Sequence, residues 1–128
     1  MKELIFLSPR EALAKIHAGA LLIDLRDDYF KNGRYYDVGE IVSIFYKEFP
    51  EKYRDLPKDR LLILADYVGI HSKELGFFLL SQGYEQVASL VGGIVDWVKD
   101  GMPTIIDHAE ELVGGCACQL KKRKRVKE

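Results

Sequence analysis

Two short apolar runs constrain this chain more than any other feature: Leu21-Leu22-Ile23, closing in Asp24-Leu25-Arg26, and Leu61-Leu62-Ile63-Leu64-Ala65. Neither is long enough for an ordinary helix, and neither alternates between apolar and polar residues. Continuous runs of this length read as strands buried on both faces. Such strands belong to a parallel sheet, which needs crossover helices to connect it and to cover it.

The intervening segments supply those helices. Ser8-Pro9-Arg10-Glu11 is a helix start, with Ser8 placed to cap, Pro9 tolerated in the first turn and Glu11 able to reach back. Ala12, Leu13 and Ile16 then share a face until Gly19. Ile41 to Tyr46 reads as a weaker strand or extended segment, and Phe49 to Leu56 as a short helix broken near Pro50 and stopped before Pro57. Ser72 is expected to cap a helix over Lys73 to Ser81, closed by Gly83. Val87 to Val91 is a further strand. Gly92-Gly93 turns into a short helix carrying Trp97, with Ile94 and Val98 on the same apolar face, ended by Gly101 and Pro103. Trp97 is expected in the core, and Asp107 to Val113 reads as another helical stretch.

With 128 residues, 48% hydrophobic and 30% charged, the chain has the size and mix of one soluble domain with a sizeable core. Its longest uncharged apolar stretches fall far short of the roughly 20 residues that cross a bilayer. The first residues carry no export core, so a cytoplasmic, reducing location is expected and no membrane contact. The net charge of −1 hides an asymmetry: residues 121–128 hold six Lys or Arg against one Glu, while the other 120 hold 13 basic and 19 acidic residues. A basic run without interleaved aromatics is a poor nucleic-acid signature and reads more simply as a solvated terminus. The only cysteines are Cys116 and Cys118. In cytosol that spacing leaves three readings open: chance placement, thiol or persulfide chemistry, or a metal shared with Asp107, His108 or a second chain.

Ligands of open α/β sheets bind beyond the carboxyl ends of strands. The segment Asp66-Tyr67-Val68-Gly69-Ile70-His71 links the second apolar run to a helix, gathering backbone N–H groups into one concavity suited to an anion or thiolate. An ordinary turn is the plain alternative. The sequence adds a resemblance here. Ala20 to Arg26, Leu61 to Ala65, Gly69-x-x-Ser72, Gln82-Gly83-Tyr84-x-x-Val87 and the closing Leu90-Val91-Gly92-Gly93-Ile94-x-x-Trp97-x-x-x-Gly101-Met102-Pro103 together resemble a rhodanese domain, from about Leu4 to Pro103. The resemblance implies an α/β fold of three layers, about five parallel strands with helices on both faces. It divides the chain into residues 1–105 and an extension, 106–128.

Active rhodaneses place a persulfide-forming cysteine directly after the strand that precedes this loop, and the residue matching it here is Asp66. The sixth position, often Arg in the family, is His71. The four residues between them match the sulfurtransferase loop and are one fewer than in the related phosphatases. Tyr36-Asp37-Val38-Gly39-Glu40 departs from the family's Gly-His-Ile-Pro-Gly-Ala segment. A carboxylate at residue 66 should accept the loop's N–H bonds and fill the cradle itself, with His71 available to pair with it. Asp66 and His71 alone make a weak metal site, since zinc usually takes about three or four protein ligands, and no cofactor is expected. Asp24, Arg26 and Ser72 are expected to support the loop, Asp24 and Arg26 as an ion pair or through hydrogen bonds. His17 and His108 read as surface residues. Two function classes follow: a binding or regulatory module with a protein partner, or a sulfurtransferase or persulfide carrier using Cys116 or Cys118 with a sulfane-sulfur donor or acceptor.

Overall fold

In the computed structural model, which describes residues 3–27 and 34–106, the two apolar runs become neighbouring central strands. In chain order the elements are β1 (Ile5–Leu7), α1 (Pro9–His17), β2 (Leu21–Asp24), β3 (Arg34–Tyr36), β4 (Ile41–Ser43), α2 (Phe49–Lys52) with a 3-10 turn (Tyr53–Asp55), β5 (Leu62–Ala65), α3 (Ile70–Ser81), β6 (Val87–Leu90), α4 (Gly93–Lys99) and β7 (Thr104–Ile106). Five strands form one sheet in the order β1-β6-β5-β2-β4, and β3 pairs with β7 in a separate ribbon. All pairs of the larger sheet are parallel, with Ile23 opposite Leu64 and Leu64 opposite Ser89.

Side chains of successive strand residues point to opposite faces, so each apolar run divides between two cores. Leu21, Ile23, Leu25, Leu62 and Leu64 pack with Phe49, Tyr53 and Leu79. Leu22, Ile63 and Ala65 face the other way, against Ala12, Ile94 and Trp97. This is why neither run shows alternation: both of its faces meet helices. Trp97 is fully buried, as expected, and its Nε1–H donates to Pro103 O at 2.7 Å. The Ser8–Glu11 box forms in both directions, at 3.2 and 2.9 Å.

Several local expectations need correction. Pro50 does not break a helix; it sits in the first turn of α2, where its missing N–H costs nothing. Within the segment Ile41 to Tyr46 the strand itself covers Ile41–Ser43. The helix read over Lys73 to Ser81 starts earlier, at Ile70, so Ser72 is not its cap but a fully buried residue inside it, its hydroxyl 2.7 Å from that of Ser89. Val98 does not join Trp97 in the core and is 36% exposed. The β3–β7 ribbon was not anticipated; it closes antiparallel with Tyr36 opposite Thr104 and Arg34 opposite Ile106. Edge contact between Tyr36 and Trp97, ring centroids 5.2 Å apart, ties it to the core. His17 is exposed. The stretch Asp107 to Val113, His108, and the extension beyond Ile106 with Cys116 and Cys118 lie outside the described residues.

Candidate functional site

At the carboxyl end of β5 the chain turns through residues 66–69 directly into α3. Asp66 is only 3% exposed. Its Oδ1 accepts a short hydrogen bond from Gly69 N–H, and its Oδ2 accepts those of His71 at 2.7 Å and Ser72 at 3.2 Å. The last two are N–H groups of the first turn of α3, which lack partners within the helix. The side chain six residues upstream of Ser72 thus caps this helix and fills the concavity that the sequence places here. These three donors are therefore taken up by the chain's own carboxylate.

The loop is held from two further directions. Asp66 O accepts from Ile94 N–H at 2.9 Å, and Tyr67 O from Val95 N–H at 3.3 Å, so the start of α4 is bonded to the loop backbone. Gly93 allows this approach: at φ +58° it lies in the left-handed region, and a Cβ there would run into Asp66 O and the Tyr67 carbonyl. From below, the Tyr36 hydroxyl donates to Asp66 O at 3.3 Å. The Arg26 guanidinium lies 5.1 Å from the centre of the Tyr36 ring and grips Asp24 with Nε–Oδ1 and Nη2–Oδ2 distances of 3.0 and 2.9 Å. Asp24 and Arg26 therefore form a buried ion pair, and they reach the loop through Tyr36. Ser72 supports it through its N–H to Asp66 and its hydroxyl to Ser89.

Charge and burial act together in this network. Burial alone would lower the Arg26 pKa, but the hydrogen bonds and charge of Asp24 outweigh it and raise it. Burial pushes the Tyr36 phenol well above its usual range, and the charges of Asp24 and Asp66 add to the rise against the opposing Arg26. A phenol with a raised native pKa contributes stability that is complete below about pH 10 and is lost as pH rises toward the native value, because the unfolded chain ionises first. Tyr36→Phe should cost about 1 kcal/mol at neutral pH through the lost hydrogen bond. Above pH 10 that difference should shrink by up to about 1.4 kcal/mol per pH unit. Urea titrations of both proteins between pH 7 and 11 check this; a difference independent of pH would remove Tyr36 from the network.

His71 does not pair with Asp66 through its ring, contrary to expectation. The backbone N–H makes that bond, while the imidazole stacks on Tyr46, 3.6 Å between centroids and 10° from parallel, with Nδ1 3.5 Å from Glu74 Oε1. The other loop side chains point outward: Tyr67, Val68 and Ile70 are 55%, 46% and 57% exposed. Tyr36, Tyr46, Ser89 and Gly93 belong to the site although sequence reading did not assign them to it. Of these, Ser89, a polar residue inside the apolar run Val87-Ala88-Ser89-Leu90, and Gly93, in the Gly92-Gly93 turn, carry a local signal. Among the described residues no group of three or more His, Cys, Asp or Glu could hold a metal, and no helix there is long and apolar enough to cross a membrane.

The fold is shared with solved structures, and the sequence is similar to that of curated proteins. The chain aligns over 74% of the length of the thiosulfate sulfurtransferase GlpE of Actinobacillus succinogenes, at 34% identity over 85 residues, 66% of this chain. It aligns over 90% of the GlpE of Haemophilus influenzae strain PittEE, at 30% identity over 98 residues, 76% of this chain. A rhodanese-related protein from Thermoplasma volcanium superposes with a TM-score of 0.68 at 21% identity, over 79% of this chain and 97% of that one. The solution structure of a rhodanese-like domain from Anabaena gives 0.69 at 18% identity, over 90% and 87%. The family model for the rhodanese-like domain matches residues 8–100, from the cap of α1 to the end of α4. Motifs, topology and sequence agree, and the chain belongs to the rhodanese-like domain family.

Proposed function

We propose that this chain is a binding or regulatory module related to sulfur metabolism, whose loop does not itself transfer sulfur. One observation carries the reading: Asp66 occupies the first loop position and satisfies Gly69, His71 and Ser72 N–H with its own carboxylate. Sulfur transfer needs a soft nucleophile that holds a second sulfur atom, which a carboxylate cannot do. It also opposes an anionic donor by roughly 4 kcal/mol for unit charges about 4 Å apart at an effective dielectric near 20. The resemblance to sulfurtransferases supports the link to sulfur metabolism, with a protein as the expected partner.

Thiosulfate treatment of the Cys116→Ser/Cys118→Ser protein should leave its mass unchanged. Adding Asp66→Cys and His71→Arg should restore a thiolate that attacks the sulfane sulfur, releases sulfite and gains about 32 Da as a persulfide. A gain of mass while Asp66 is still in place would overturn the proposal, and no gain with the thiol introduced would show that the loop lacks the family geometry. The second reading, a sulfurtransferase or persulfide carrier, is favoured by the names of the curated relatives and by Cys116 and Cys118. Lys121, Lys122 and Arg123 beside them favour thiolate. It predicts that the natural chain takes up sulfur on Cys116 or Cys118.

A further inference from the structure

The larger sheet ends on one side in β1, and that edge carries no guard. Edge strands are ordinarily kept from pairing with other chains by charged residues, proline or a bulge, and Ile5-Phe6-Leu7 holds neither a charge nor a proline. At the opposite edge β4 starts beside the Glu40–Arg60 ion pair, 3.0 Å apart, and ends in the exposed Ser43. Val91 N–H bonds Leu7 O at 2.9 Å. Alternate residues of a parallel ladder turn both backbone groups to the same neighbour, so Ile5 and Leu7 address β6 while the Phe6 N–H and C=O point outward. Among the described residues those two groups have no hydrogen-bond partner.

Both faces of β1 are apolar and open, with Ile5 44% and Phe6 51% exposed. Phe6 shares its face with Leu4, and a Cβ on Gly76 of α3 would lie 2.6 Å from Leu4 Cδ1. Successive helix residues step by about 100°. Leu75 and Phe78 pack on the far flank of α3, with Phe49 and Tyr53, which leaves Phe77, 52% exposed, on the flank over β1.

A second copy supplies what this edge lacks. A two-fold axis at Phe6 sets two β1 strands antiparallel, the Phe6 N–H of each copy donating to the Phe6 O of the other. Rings of Phe6 and Phe77 from both copies then gather on one face, and on the other Ile5 lies opposite Leu7 of the second copy. The same register brings Glu3 opposite Pro9 and beside Arg10 of the second copy, an exposed acid beside an exposed base. Backbone pairing ends there, because the Ser8 N–H is already held by Glu11. The exposed parts of Ile5, Phe6 and Phe77 amount to roughly 300 Å² per copy, taking about 150–250 Å² for a whole aromatic side chain. Doubled and joined by the charged flanks, that area stays below about 1,200 Å², the class of weak, transient interfaces. A lone peptide strand would bring no counterpart to Phe77.

We propose that two copies of this chain associate through β1, joining their sheets into one around a Phe6–Phe6 pair. The two Asp66 loops then face opposite ends of the joined sheet, so the pairing neither uses nor blocks them, and its failure leaves the proposed function standing.

Sedimentation equilibrium of the full-length protein tests the association. The natural chain should pass from the mass of one chain towards that of two as its concentration rises about a hundredfold through the dissociation constant. A single-chain mass at every concentration up to about 1 mM overturns the proposal. Phe6→Lys and Phe6→Glu should each weaken association at least about tenfold, because like charges directly opposite across a strand pair repel, and an equal mixture of the two should recover it. Phe77→Ser, which leaves β1 untouched, should weaken it about tenfold through loss of an aromatic anchor. Natural affinity in any of the three variants, or a mixture that stays monomeric, overturns the Phe6–Phe6 pairing.

Discussion

Arg26→Met is expected to destabilise the protein by about 3–5 kcal/mol, the range found when one member of a buried ion pair is removed and the other stays behind. The substitution keeps much of the volume but deletes both guanidinium bonds to Asp24 and the cation over the Tyr36 ring. Asp24, 3% exposed, then keeps its carboxylate without that partner. Deleting both charges in Asp24→Leu/Arg26→Met should cost distinctly less than the single change, because the buried carboxylate leaves together with the guanidinium. Urea unfolding of the three proteins decides the matter. An Arg26→Met midpoint equal to that of the natural chain would mean that the pair is solvated in solution.

Gly93→Ala is the second large effect, expected at about 3 kcal/mol from left-handed strain and overpacking together. The new methyl group would meet Asp66 O and the Tyr67 carbonyl, which are backbone atoms and cannot rotate away. Relieving the contact means withdrawing α4 from the loop, with loss of the Ile94 and Val95 bonds. Gly101→Ala provides the internal reference: Gly101 also has a positive φ, +75°, but a Cβ there meets nothing within 4 Å. It should cost about 1 kcal/mol, the conformational part alone. Equal losses at the two positions would show that the loop yields freely to α4.

The contrast between these sites and the strands shows what local pattern reveals. Burial on two faces is written into Leu21 to Leu25 and Leu61 to Ala65, and the Ser8–Glu11 cap into a three-residue spacing, so both were legible. The cap of α3 was not, because Asp66 reaches it from outside the usual capping position and leaves Ser72 free to turn inward to Ser89. The β3–β7 ribbon joins three-residue strands about seventy positions apart, and nothing in either segment names the other. For the site, the self-filled cradle followed from the chemistry of a carboxylate among N–H groups. The direction of the His71 ring did not, since it depends on Tyr46, delivered by the connection after β4. The two cysteines illustrate the remaining limit: their spacing leaves chance placement, thiol or persulfide chemistry and metal binding all open.

The carboxylate on the first turn of α3 also fixes how this end of the molecule responds to ionic strength. An uncapped helix start attracts anions through its partial positive charge, an attraction that dissolved salt screens. Here the compensating anion is covalently part of the chain and sits beneath an apolar rim, so that contribution is internal and not offered to solvent. Association at the rim should therefore vary little between dilute and concentrated salt, and strengthen where sulfate salts favour the burial of apolar surface.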